Sequence, residues 1–436
     1  MRDFNEEQGS FGAWDWYDRR GVDRMFASVR LSRNVYRPLG PALQPAFAMS
    51  PTRPSVLEPI SSAELQAVDP ERIGEVERRH ELLVEYLALR NLQGLLLLRP
   101  ENFAWVSYGG DNTRRGTSRT TAALFVTPEA RLVLCNSADS GQLFDRELAG
   151  LGFQLKERPW SEDVQVLCQD LCRGRSFADD ISPSQSTNAD LADFRISLAA
   201  EDHARLRSLG HDLTHCVEAA ARNCAQGETE AEVAGQLAHR MMKREITPVT
   251  IQVMADGQGR RYRHWAYGHD PIERFAVLSA VGRQHGLHVG VTRTICFNSP
   301  PQQLLDWHQH ASLVQATGMY FSRGGWSFTD VWARITRIYE KFGEPEEWRA
   351  AEQADLIGYS PSEHLIVPRS ERLLPTGSAV FWHPSVRSAA VGDTVLVRDG
   401  GFELLTQSDN WPTLPIAVKS EPVPRPAILC RETLQP

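Results

Sequence analysis

No apolar run in this 436-residue chain approaches the ~20 residues that span a bilayer, so no membrane helix is expected. Basic charge is in deficit. Lys and Arg number 47 against 55 Asp and Glu, and the resulting net charge of −8 disfavours a general binder of nucleic acid or anionic membranes. Cysteine is sparse and odd in number: seven residues, at 135, 168, 172, 216, 224, 296 and 430. Cys168 and Cys172 sit one helical turn apart without a second pair, so the spacing of a zinc site is missing. Free thiols in the cytoplasm are the expectation. The opening MRDFNEEQGSFG lacks the basic-then-apolar pattern of a signal peptide, which agrees with that location. No internal repeat is visible. What is present is ordinary for a globular protein: 42% apolar and 23% charged residues, enough for two or three domains.

Residues 1–70 differ from the rest. VYRPLGPALQPAFAMSPTRPSVLEPI carries proline at a density that sustains neither helix nor central strand. An irregular extension lying over the folded body is expected, with disorder as the alternative. From Glu71 the pattern changes. ERIGEVERRHELLVEYLALRNL spaces its apolar residues as an amphipathic helix does. GLLLL is fit for a buried strand, and AALFVTPEARLVLCNS reads as two strands about a turn. A compact α/β domain over 71–195 follows. A second unit, 196–436, opens with a long helical pattern ending near Gly227. GETEAEVAGQLAHRMMKR restarts a helix, with Thr229 as its cap. Strands then dominate (PVTIQVMAD, RFAVLSAVG, LHVGVTRTICF). Helical stretches at LLDWHQHASLVQATGMYFS and FTDVWARITRIYEKFG follow, then strands at SAVFWHPSV, DTVLVRDGG and FELLT.

In its second unit the chain resembles the creatinase, aminopeptidase P and prolidase family. The resemblance is carried by Gly227-Glu228-Thr229-Glu230, the His264 segment, Gly286 to Thr294, Leu356-Ile357-Gly358, LLPTGSAVFWHP and GDTVLVRDGGFELLT, in that order. It implies an α/β (α+β) architecture: a C-terminal pita-bread domain preceded by a smaller creatinase N-terminal-like domain. It also implies a homodimer acting on a small molecule or short peptide. Metal-dependent members hold two divalent ions between two aspartates, a histidine and two glutamates, because hard cations close together need several anionic oxygens. Carried over residue by residue, these places fall on Ala280, Gly290, Tyr359, His383 and Gly392. Only His383, and at most Tyr359, can coordinate a metal. The resemblance thus implies a divergent chain with no metal ions and no other cofactor.

Polar residues remain where the family handles substrate. His264 and His364 occupy places of proton-handling histidines, and an imidazole pKa near 6.5 suits that work. Glu363 is the carboxylate next to His364. His288, two residues before Gly290 on a strand, shares its face. His288, His383 and Tyr359 are therefore expected to contact substrate. With Arg260, Arg261 and Arg263 crowded before His264, an anionic substrate is expected, Arg261 and Arg263 meeting it in bidentate fashion. Arg293 is read as a brace between strands, and Cys224 and Cys296 as buried structural thiols. Three functions stay open. One is a metal-independent hydrolase or C–N lyase with His264 as acid/base, as in creatinase. Another is a non-catalytic binding protein, for which the family offers a histone-chaperone domain as precedent. The third is a metallopeptidase of the Xaa-Pro type. A single zinc ion on His264, His288, His364 and His383 is a further alternative.

Overall fold

A computed structural model of the chain describes residues 69–114, 117, 119–182, 187–408 and 410–432. The proline-rich extension assigned to 1–70 therefore lies outside the described residues except at its last two positions. The first helix, α1 (Pro70–Arg90), starts where Asp69 accepts the Glu71 N–H and Pro70 takes the first turn. It ends at Asn91 in the left-handed conformation. Next come β1 (Gly94–Leu97), α2 (Pro100–Val106), β2 (Ala122–Val126), β3 (Arg131–Asn136) and the single turn α3 (Ser140–Gln142). They are followed by β4 (Gln154–Arg158), α4 (Val164–Cys172), β5 (Phe177–Asp179) and α5 (Thr187–Arg195). The strands form one sheet, β4-β3-β2-β1-β5, in which β2 and β3 pair antiparallel about Thr127–Ala130 as the sequence suggests.

Two long helices, α6 (Ala200–Asn223) and α7 (Glu230–Met242), lead into the second half. Thr229 caps α7 as the sequence suggests, and with Glu232 it forms a reciprocal capping box. The strands β6 (Thr247–Ala255), β7 (Phe275–Gln284) and β8 (Leu287–Phe297) then pair antiparallel. The β7–β8 hairpin turns on His285 and Gly286, both at positive φ. Gly286 is obligatory twice over, since a Cβ there would also meet Ala104 at 2.6 Å. After α8 (Gln302–Phe321) and α9 (Phe328–Lys341) come β9 (Ala354–Ile357), β10 (His364–Leu365) and β11 (Ala379–Trp382). The short strands β12 (Ser385–Val386) and β13 (Ala389–Ala390) precede β14 (Asp393–Arg398) and β15 (Gly401–Leu404), and β16 (Leu429–Arg431) lies near the end. These strands build two larger sheets, β16-β8-β7-β6 and β10-β9-β11-β14-β15, while β12 and β13 pair with each other.

Strand alternation sorts the side chains of both sheets. On β8, Val289 and Val291 enter the core shared with α6, whereas His288, Gly290 and Thr292 point the other way. On β11, Val380 and Trp382 enter the core beneath α8 and α9, leaving Phe381 on the opposite face. The two inner faces therefore look at each other. The sheets are tied on the α6 side by Arg293, whose guanidinium meets Glu218 at 3.1 Å and Asp393 at 2.9 Å, while Arg425 reaches Asp393 at 3.2 Å. All four side chains are buried, so each charge depends on the others. Arg293 is indeed a brace. Among the described residues no helix is long and apolar enough to cross a membrane. Removing one partner leaves buried charge unmatched. Arg293→Ala is expected to cost about 3–5 kcal/mol, read as a lower urea midpoint.

Candidate functional site

Between the facing sheets lies a cavity of about 230 Å³. Thr250, Gln252 and Met254 of β6, Ser279 and Val281 of β7 and Thr292 of β8 form one wall. Asp355, Phe381 and His383 form the other, with Arg263, His264, Glu352 and Arg387 around the mouth. Its chemical centre is a pair: His383 Nε2 lies 2.7 Å from Asp355 Oδ2. Asp355 is held in turn by the Ser362 hydroxyl, which donates to Oδ1 at 2.5 Å. The imidazole stacks on Phe381, centroids 4.7 Å apart at 29°. A carboxylate accepts hydrogen from Nε2, which leaves Nδ1 of His383 with its lone pair. Across the cavity, the Ser279 and Thr292 hydroxyls bond each other at 2.8 Å.

Three of the residues singled out from sequence meet here: His383, Arg263 and His264. His264 stands at the mouth with its side chain 74% exposed, bonded to Glu352 at 3.1 Å. Arg263 donates to Ser385 Oγ at 2.6 Å and to Glu347 at 2.7 Å. Arg387 pairs with Glu344 at 2.6 Å. Each of these two arginines has its own glutamate, so the mouth carries no surplus of positive charge.

The other expectations are corrected by the packing. Ala280 points away from the cavity into the core with α6 and α7, fully buried, and Ser279 and Val281 face inward instead. A shift of one residue exchanges the faces of a strand. Tyr359 is not in the cavity. Its hydroxyl donates to Asp202 at 2.8 Å and accepts from Arg79 at 2.9 Å, and burial pushes its pKa well up. The β9 residue that does face the cavity is Asp355, which sequence reasoning missed. The alternation of ADLI, with Ala354 and Leu356 in the helix-side core, is the signal that marks it. Glu363 is sealed in an ion pair with Arg195 at 2.5 Å. His364 bonds Asp193 at 3.1 Å outside the cavity, its pKa lowered first by burial and then by Arg372. Arg261 is exposed and stacks on Tyr262. His288 shares the face of Gly290, as expected, but does not line the cavity that holds His383. Its Nδ1 bonds the Gly358 carbonyl at 3.1 Å, and it borders a separate cavity of about 130 Å³ with Glu101, Arg283 and Tyr359. The histidines that were to share a zinc ion are thus not brought together.

The donor set does not fit a pair of dications. Facing one another across the sheets are Ser279, Gly290, Asp355, His383 and Gly392, which offer one carboxylate and one imidazole. Among the described residues no three His, Cys, Asp or Glu side chains gather as a metal site. Space is closed as well as charge. A Cβ on Gly290 would meet the Phe381 ring at 2.5 Å, and one on Gly392 would meet it at 3.1 Å and collide with Thr292. The ring fills the volume through which carboxylates at these positions would reach.

The architecture is the pita-bread α/β fold. Solved structures share it at low sequence identity. The prolidase from Pyrococcus horikoshii OT3 superposes with a TM-score of 0.64 at 15% identity, over 78% of this chain and 99% of that one. The dipeptidase PepE from Mycobacterium ulcerans gives 0.66 at 17%, over 83% and 99%. The N-terminal domain of the FACT complex subunit SPT16 from Cicer arietinum (chickpea) gives 0.58 at 9%, over 78% and 97%. No protein-family model matches the sequence, and comparison with curated proteins finds no match.

Two consequences are measurable. If Phe381 excludes side chains at 290, Gly290→Asp destabilises by about 1–3 kcal/mol, and by clearly less in a Phe381→Ala background, as a double-mutant cycle in urea would show. Burial lowers His288 and His308 to about 4. Both are neutral when folded, whereas the unfolded chain takes up their protons near pH 6.5. Stability is therefore expected to fall as pH drops from about 6.5 toward 4, by at most ~1.4 kcal/mol per pH unit for each group. His308→Gln should reduce that slope in urea titrations.

Proposed function

We propose that this chain is a metal-independent hydrolase or C–N lyase acting on a small amide or amidine in the cavity, with His383 as acid/base. The observation that carries the reading is the 2.7 Å contact between His383 and Asp355 inside the cavity. Asp355 holds the imidazole in the tautomer with hydrogen on Nε2, and stacking on Phe381 fixes the plane of the ring. Nδ1 then removes a proton from water as it adds to the carbonyl or amidine carbon. The same proton passes to the departing nitrogen as the C–N bond breaks, so the imidazole returns to its starting form. The acid/base role that the sequence assigns to His264 passes to His383, which is far less exposed. Because Arg263 and Arg387 are already matched by Glu347 and Glu344, the preferred substrate is uncharged or zwitterionic rather than anionic. A homodimer is part of this proposal and rests on the resemblance alone, and a cytoplasmic location rests on the sparse, scattered cysteines.

A second reading is favoured by Phe381: the scaffold binds a ligand and performs no chemistry. Prolidase-type metallopeptidase activity, the third possibility, has the fold in its favour and the donor set against it. The deciding experiment is a turnover screen of chelator-treated protein against dipeptides, N-acyl amino acids and amidines. Turnover that survives chelation and falls about 10²–10⁴-fold in His383→Gln, with unchanged melting, is the expected outcome. Activity that vanishes on chelation and returns with a divalent metal would contradict it. Saturable binding without turnover of any substrate would transfer support to the second reading.

A further inference from the structure

Two of the seven cysteines are brought together by strand register. The edge strand β16 runs parallel to β8, with Leu429 opposite Ile295, Cys430 opposite Cys296 and Arg431 opposite Phe297. Residues opposite each other in a ladder point to the same side of the sheet. The packing agrees. Leu429 packs with Ile295 against the core shared with α6, whereas Ile428 and Cys296 join Phe275, Leu304 and Ala389 on the other side. Cys430, two residues after Ile428, therefore faces that second side beside Cys296. Neighbouring strands lie about 4.8 Å apart, inside the roughly 4.4–6.8 Å between Cα atoms over which disulfides form. Burial, and next the nearby Cys430 thiol, push the pKa of Cys296 up to about 11. Cys168 and Cys172 are no match for this pair. One helical turn keeps Cβ atoms about 5–6 Å apart, beyond the roughly 4.5 Å that a disulfide spans, and both thiols are buried.

We propose that Cys296 and Cys430 form a redox staple: oxidation joins their sulfurs and fastens β16 to the sheet. Cys430 is exposed and Cys296 is buried, which sets the order of events. With a disulfide oxidant such as oxidised glutathione, the Cys430 thiolate attacks one oxidant sulfur and releases one glutathione thiol. Cys296 then gives up its proton and attacks the Cys430 sulfur, releasing the second. Two protein thiols thus lose two hydrogens and two electrons, and the oxidant gains them as two thiols. β16 is a strand that such a bond can steady. It is three residues long and pairs with β8 alone. Past the ladder, Asn298 N–H donates to the Arg431 carbonyl at 2.7 Å, and the Arg431 guanidinium donates to the Cys224 carbonyl. Short edge segments are among the first to open, and opening here uncovers Cys296. The staple lies close behind the cavity wall, because Ala389 packs in the cluster of Cys296 and also lines the cavity. The proposal stands apart from whatever chemistry the cavity performs.

The test is to incubate the reduced, folded chain with millimolar oxidised glutathione, beside Cys430→Ser, and to map the products by mass spectrometry. In the unaltered chain the seven free thiols should fall to five, the mass should drop by two hydrogens, and one proteolytic fragment should join Cys296 to Cys430. Cys430→Ser should form no such link. Amide exchange at Asn298 and Arg431 should slow about tenfold or more in the oxidised chain, and return to its former rate on reduction. Four results overturn the proposal: seven thiols left intact, a glutathione adduct on Cys430 that never closes, a dimer linked through Cys430, or links among the other cysteines. A Cys296–Cys430 link that leaves exchange at Asn298 and Arg431 unchanged also overturns it, since nothing would then be fastened. The fragment map is read on the unaltered chain, so it decides the matter even if Cys430→Ser does not fold.

Discussion

The ring of Phe381 and the two glycines it rests on, Gly290 and Gly392, are one constraint seen from three strands. Alternation on β11 sends Val380 and Trp382 into the core beneath α8 and α9, so Phe381 has nowhere to go but the gap between the sheets. It fits there because β8 at Gly290 and the residue just before β14, Gly392, are approached at positions without side chains. Carboxylates at those positions and the ring are mutually exclusive occupants of the same volume. The packing of this region therefore decides its chemistry: ring and hydroxyls replace the acids that a pair of dications requires.

What the packing leaves is a single imidazole held by a single carboxylate. Asp355 is itself anchored by Ser362, so the pair is positioned by the β9 strand and the loop after it. Around the mouth, charges are matched one to one, arginine to glutamate. The bracing charges elsewhere do different work. Arg293, Glu218, Asp393 and Arg425 hold the sheets at their fixed separation. Arg79, Asp202 and Tyr359 join α1, α6 and the loop after β9.

Much of the fold was legible in the sequence because its signals are local. The period of 71–92 and the cap at Thr229 mark helices, and the apolar runs that became β6, β7 and β8 read as strands. Arg293 was readable as a brace because an arginine inside a buried strand must meet acids. The site was less legible, for two physical reasons. Strand faces alternate at every residue, so a shift of one position places Ala280 where Ser279 belongs, whereas Tyr359 lies four residues beyond Asp355, outside β9 altogether. Partners are also distant: Glu363 meets Arg195 168 residues away, and His364 meets Asp193 171 residues away. Nothing near Glu363 or His364 announces that their hydrogen bonds are already spent.

The chemistry of this cavity depends on whether divalent ions have a home between Phe381, Asp355 and His383. Equilibrium dialysis of the metal-free chain against micromolar manganese or zinc, with bound metal counted per chain, measures this directly. Binding well below one ion per chain is the predicted result. Two ions held per chain, lost together on replacing Asp355 or His383, would contradict it.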